Sequence, residues 1–141
     1  MSSFEIDLVL APGLEAASAA RDSLEKLKGP VGAEKMEDLR LVVTELVTNS
    51  VRHADLAPEE EIWLQIQVDS GVIRGSVTDP GPGFEKPPQK EPDYLPEETA
   101  SSGWGLYMVG RISERWGVAR EENTRVWFEI EDTAEEVTRA G

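Results

Sequence analysis

Apolar and polar positions alternate at the start of the chain, where Phe4, Ile6, Leu8 and Leu10 are separated by Glu5, Asp7 and Val9. A period of two predicts a strand with one buried face, ended by Pro12-Gly13. The period then lengthens: Leu14, Ala17, Ala20 or Arg21, Leu24 and Leu27 recur at helical spacing, until Gly29-Pro30 stops the helix. A second helix is predicted from about Ala33 to His53, with Met36, Leu39, Val42, Val43, Leu46, Val47 and Val51 on its apolar side. Asp55 to Glu60 reads as a polar loop. Alternation returns in Ile62, Leu64, Ile66 and Val68, and Ser70-Gly71 suits a tight hairpin turn into a return strand from Val72 to about Asp79.

From Phe84 to Ser102 the pattern disappears. This stretch holds Pro87, Pro88, Pro92 and Pro96, and a loop of such length in a compact domain is usually functional or disordered. Gly105 to Arg115 reads as a third helix with Leu106, Val109 and Ile112 inward. Trp116–Arg120 and Arg125–Ile130 read as a hairpin across Glu121 to Thr124. Trp63, Trp116 and Trp127 are expected in the core or on a sheet face. The acidic tail, Glu131 to Gly141, is expected to fray. The order β-α-α-β-β-loop-α-β-β predicts an α+β fold: a two-layer α/β sandwich whose mostly antiparallel mixed sheet is covered on one face by about three helices.

Composition narrows the class. A chain of 141 residues with 39% hydrophobic content fits a single domain spanning 1–141 with a real core. No apolar run approaches the ~20 residues of a spanning helix. The N-terminus lacks the basic-then-apolar layout of a signal peptide, so a cytoplasmic, non-membrane protein is expected. Cysteine is absent and His53 is the single histidine, which excludes disulfides, thiolate metal sites and multi-histidine zinc. A net charge of −14, from 28 acidic and 14 basic side chains, repels phosphate backbones and argues against nucleic acid as a partner. Most of that charge serves solubility; a basic protein partner is the sharper alternative.

Three patches carry candidate chemistry. Glu45 and Asn49 lie four apart on the second helix and so share a face. From the helix alone, a solvated stripe is the preferred reading. The functional alternative is a carboxylate that accepts a proton from an attacking hydroxyl or water, beside an amide oxygen that ligates magnesium. Asp79 ends a strand and opens Asp79-Pro80-Gly81-Pro82-Gly83-Phe84. It is either an ordinary turn or a carboxylate that accepts from the amino group of adenine, with Gly81 and Gly83 leaving bare backbone for the purine. Gly103 and Gly105 precede an amphipathic helix and either form a hinge or expose free N–H groups to an anion. No lysine follows these glycines and no strand immediately precedes them, so this is neither a Walker A loop nor a Rossmann fingerprint.

Together the patches resemble a known family. Glu45-Leu-Val-Thr-Asn-Ser-Val-Arg-His-Ala54 resembles the N box of the GHKL ATPase superfamily, Asp79-Pro-Gly-Pro-Gly-Phe84 its first glycine box, and Gly103-Trp-Gly-Leu-Tyr-Met-Val109 its second. The strand-helix opening resembles the bacterial anti-sigma factor serine/threonine kinases of the stress and sporulation type. The resemblance covers about residues 4 to 130. It implies a Bergerat fold that binds ATP and Mg2+, with Glu45 as catalytic base and Asn49 as the magnesium ligand. It further implies that Asp79 reads adenine, with Gly81 and Gly83 shaping the base pocket. Ser102, Gly103, Trp104, Gly105 and Leu106 would lie against the phosphates, and about 84–102 would be the ATP lid. Thr124 resembles the threonine that supports the adenine aspartate, although Asn123 stands where many members carry glycine.

The implied activity is phosphorylation of a serine on an anti-anti-sigma (STAS-type) protein, coupled to sequestration of a sigma factor. Homodimerisation through the first strand and helix is also implied. The alternative function is a non-catalytic ATP/ADP-dependent interaction switch with the same fold. A histidine kinase catalytic half ranks lower, since no helical dimerisation segment precedes the domain. Arg52 and His53 either cap the helix, which is preferred, or touch phosphate. Arg21 is expected to be solvated, and Trp104 to be hinge surface or packing.

Overall fold

The computed structural model describes residues 3–53, 56–81, 105–120 and 122–132. In chain order the elements are β1 (Ser3–Leu10), α1 (Ala16–Ser23), α2 (Ala33–His53), β2 (Ile62–Asp69), β3 (Val72–Asp79), α3 (Gly105–Ile112), β4 (Arg115–Arg120) and β5 (Thr124–Glu131). The five strands form one sheet in the order β1-β2-β3-β5-β4. The sheet expected to be mixed is antiparallel at every described pairing. Ser70 and Gly71 connect β2 to β3 with φ of +54° and +78°, the left-handed pair that a two-residue type I′ hairpin requires.

Alternation on the strands and helical spacing on α2 meet in one core. Ile6, Leu64, Ile66, Val77, Phe128 and Ile130 project from the sheet. They pack against an α2 stripe in which Met36, Leu39, Val42, Val43, Leu46 and Val47 are all buried. This is the i, i+3, i+4, i+7 pattern of a helix lying on a sheet. Phe128 fits only because its register partner is Gly75, where a Cβ would stand 2.3 Å from the ring.

Four boundaries differ from the sequence expectation. The first helix ends early, its last turn tightening into a 3-10 helix over Leu24–Leu27. The third helix stops at Ile112 instead of Arg115, because Arg115 already pairs with Glu129 across the sheet and donates Nε to its Oε1 at 3.0 Å. The final strand begins at Thr124, inside the expected turn, where Thr124 pairs with Asp79.

The fourth difference lies in the tail expected to fray from Glu131. Glu131 belongs to β5 and pairs with Val72, and the Asp132 carboxylate accepts from Gly32 N at 2.8 Å. Asp132 thereby serves a donor just ahead of α2, where helix-start amides lack partners within the helix. Residues 133–141 lie outside the described residues.

Trp63 and Trp127 lie on the sheet face away from α2, and Trp116 is half-buried against the core. Trp63 is 43% exposed and donates its indole N–H to Asp7.

Candidate functional site

α2 supplies one wall of the candidate site. Its apolar stripe faces the sheet, so the residues between stripe positions lie at the margin of the core. Asn49 is 1% exposed, and neither its Oδ1 nor its Nδ2 has a hydrogen-bond partner among the described residues. Glu45, one turn earlier, is half-buried, and its Oε1 is likewise buried and unpartnered. The solvated-stripe reading preferred from the helix alone therefore does not describe Asn49. A buried polar group left unsatisfied costs about 1–3 kcal/mol, so two such side chains on adjacent turns make this a candidate place for a polar ligand.

Burial pushes the Glu45 carboxyl above its ordinary value, and the Arg52 guanidinium pulls it back in part. Arg52 follows Glu45 by two turns on the same face, and helical side chains lean toward the N-terminus. Its charge thus reaches the Glu45 carboxyl instead of merely closing the helix. Arg21, expected to be solvated, donates Nη1 to Thr44 Oγ1 at 3.3 Å and ties α1 to α2 beside Glu45.

The sheet supplies the other wall. Asp79 closes β3 on the face that meets α2 and is 5% exposed. Both carboxylate oxygens are engaged: Oδ2 accepts from Ser50 Oγ at 2.6 Å, and Oδ1 accepts from Gly81 N at 2.8 Å. Thr124, opposite Asp79 on β5, donates Oγ1 to Gly81 O at 2.9 Å. Thr124 thus supports the aspartate through Gly81 and not by direct contact. Each oxygen of Asp79 retains acceptor capacity after these bonds, which is what an exocyclic amine requires.

Gly105 begins α3. The Leu106 side chain is in the core at 1% exposure, so the part of Leu106 that can serve an anion is its backbone N–H, in the first turn of α3. Gly83, Ser102, Gly103 and Trp104, together with the expected lid at 84–102, lie outside the described residues, and the His53 side chain is likewise not described.

Ser50 is the functional-site residue that sequence reasoning missed. A serine one position past Asn49 gives no periodic signal, and only the approach of β3 reveals its partner.

Among the described residues no group of three or more His, Cys, Asp or Glu side chains can hold a metal ion. Asn49 Oδ1 is a hard, unpartnered oxygen that fits magnesium as a single protein ligand, with the remaining positions left to phosphate oxygens and water.

Hollows of 540 Å³ and 470 Å³ lie on the sheet face away from α2. Gln65, Arg74, Ser76 and Trp127 line the larger, and Val9, Trp63, Thr78 and Pro80 line the smaller. Neither includes Glu45 or Asn49, while Asp79 borders the smaller; the candidate site rests on the unpartnered polar atoms of Glu45 and Asn49 together with Asp79.

Comparison with known proteins bears on this geometry. The model of the histidine kinase-like ATPase domain matches residues 10–130. The serine-protein kinase RsbW of Listeria innocua serovar 6a is 32% identical over 120 residues, covering 78% of this chain and 76% of the relative. The crystal structure of the RsbU and RsbW domains of Rv1364c from Mycobacterium tuberculosis superposes with a TM-score of 0.60 at 16% identity. That superposition covers 90% of this chain and only 32% of the solved chain, and it speaks to the fold.

Proposed function

The chain belongs to the histidine kinase-like ATPase domain family, and from that premise we propose that it is a magnesium- and ATP-dependent protein serine/threonine kinase acting as an anti-sigma factor. Membership implies ATP binding, and the named serine-protein kinase among its relatives supports a phosphotransferase. One observation supports the reading at particular residues: on a single helix, near the Asp79 carboxylate, Glu45 Oε1 and both polar atoms of Asn49 are buried without partners among the described residues.

The chemistry follows from those atoms. Asp79 would accept from the amino group of adenine, with Thr124 bracing the turn through Gly81; Gly81 and Gly83 are the residues proposed to shape the base pocket. Asn49 Oδ1 would hold magnesium, and the ion would supply screening of the phosphate charge. Ser102, Gly103, Trp104, Gly105 and Leu106 are the residues proposed to bind the phosphates, through backbone N–H groups. Glu45 accepts the proton of a serine hydroxyl as that oxygen bonds to the γ-phosphorus and the bond to the β–γ bridging oxygen breaks, releasing ADP. The raised proton affinity of Glu45 suits a group that must take up a proton in the transition state.

The protein substrate in this reading is a serine of a STAS-type anti-anti-sigma protein, and the unphosphorylated partner competes with a sigma factor for the kinase. A new phosphate of charge about −2 at that surface breaks the complex. The homodimer is assigned to β1 and α1: β1 is an edge strand eight residues long, with Phe4 and Val9 exposed, and an unpaired edge is a template for pairing with another chain. The proposed location is the cytoplasm; among the described residues no helix is long and apolar enough to cross a membrane.

The test is incubation with Mg-ATP and a purified STAS-type partner, with phosphoserine read by mass spectrometry. Transfer by the native protein and none by Glu45→Gln is expected. ATP binding without transfer to any such partner would leave the non-catalytic switch as the function.

A further inference from the structure

A serine inside a helix ordinarily returns its hydroxyl to the carbonyl one turn back. Ser50 does not. Its Oγ crosses from α2 to β3 and donates to Asp79 Oδ2 at 2.6 Å, with Ser50 only 6% and Asp79 5% exposed. Asp79 Oδ1 is held from the other side by Gly81 N at 2.8 Å. Two donors from two elements therefore fix the plane of one carboxylate. Rotation about the terminal torsion, which is broad and two-fold for a free aspartate, breaks both bonds at once.

We propose that Ser50 is the positioning residue for adenine recognition: its hydroxyl aims the second lone pair of Asp79 at the purine amino group. The inference rests on the nucleotide reading above and assigns the selectivity of that site to a clamp of two donors, Ser50 and Gly81. Removing the hydroxyl leaves the carboxylate held by one donor on one oxygen. Its acceptor direction is then free to swing, and the amino group meets a poorly aimed partner. Ser50 adjoins Asn49 on α2, so the same bond fixes the base end of the site to the helix that carries the phosphate end.

A cycle that crosses the residue with the ligand group separates this role from general support of the pocket. The probes are Mg-ATP and the triphosphate of purine riboside, which lacks the 6-amino group, titrated calorimetrically against native protein, Ser50→Ala and Ser50→Thr. A charge-assisted hydrogen bond corresponds to about a tenfold to hundredfold effect on affinity. Ser50→Ala is expected to weaken ATP about tenfold or more while leaving the amino-free analogue within about twofold, and Ser50→Thr, which keeps a hydroxyl, to restore the preference. Equal losses for both ligands would overturn the proposal, because Ser50 would then act on the pocket at large.

Ser50→Cys keeps the volume with only a weak donor and carries the same cycle should the alanine variant unfold. If the native protein binds neither ligand, the nucleotide reading itself fails, a result distinct from equal losses in the variant.

Discussion

The proposed nucleotide site has a base end and a phosphate end, and the two are built oppositely. At the base end Asp79 has both oxygens partnered, by Ser50 and Gly81, and the turn is braced by Thr124. At the phosphate end Glu45 Oε1 and both polar atoms of Asn49 are buried without partners among the described residues. The same helix serves both ends, so the difference does not come from backbone geometry. The base end contributes to the fold with or without a ligand. The phosphate end carries a desolvation cost that a cation and a polyanion relieve. Ligand-free stability should therefore respond in opposite ways to substitutions at the two ends, while ATP affinity falls at both.

The largest effect is expected at the base end. Asp79→Asn weakens two charge-assisted bonds, each in the range of about 1.5–3 kcal/mol, and offers adenine an acceptor of the wrong charge. Both the ligand-free melting temperature and ATP affinity should fall. A variant that loses ATP while melting like the native protein would break the claim that this end is prebuilt.

Asn49→Ala sharpens the contrast from the other side. It removes two unpartnered polar atoms from the interior, so the ligand-free melting temperature should hold steady or rise slightly, while magnesium-dependent affinity for ATP is lost. A drop in ligand-free stability of about 2 kcal/mol or more would mean that the amide is structurally engaged.

Glu45→Gln should abolish phosphoryl transfer and spare ATP binding. Its pH signature has a definite sign. Because the folded-state proton affinity is raised by burial, folding favours the protonated form. This contribution is fully present below the ordinary carboxylate range and is lost as pH rises through the raised value. Glu45→Gln should thus melt slightly higher than the native protein at neutral pH and show no such gain in acid. Transfer activity should have its acid limb above the ordinary glutamate value.

The smallest expected effect is at the brace. Thr124→Val removes the bond to Gly81 O and should cost about 1 kcal/mol in a denaturant melt, with a modest loss of ATP affinity.

The sequence made the base and phosphate ends unequally legible. Alternation in β1, β2, β3 and β5 and the spacing along α2 reveal the sandwich, because each element buries one face and its period reports that face. Glu45, Asn49 and Asp79 were readable as candidate chemistry because their spacing and glycine context restrict what they can do. Ser50 was not, since its role depends on which strand end lies across from it. Asp132 was hidden for a similar reason: an acidic residue in a charged tail looks solvated until the start of α2 is placed beside it. Nor does helical periodicity distinguish a half-buried Glu45 from a solvated one. That distinction depends on how far the sheet extends, which is set by contacts distant in sequence.

The most direct test of the central claim is a calorimetric titration of the native protein with ATP and with GTP, each with and without magnesium, repeated on Asp79→Asn. The account predicts magnesium-dependent binding of ATP, little binding of GTP, and loss of the signal in Asp79→Asn. Binding that ignores magnesium or does not distinguish the two purines would contradict it, as would the absence of binding to the native protein.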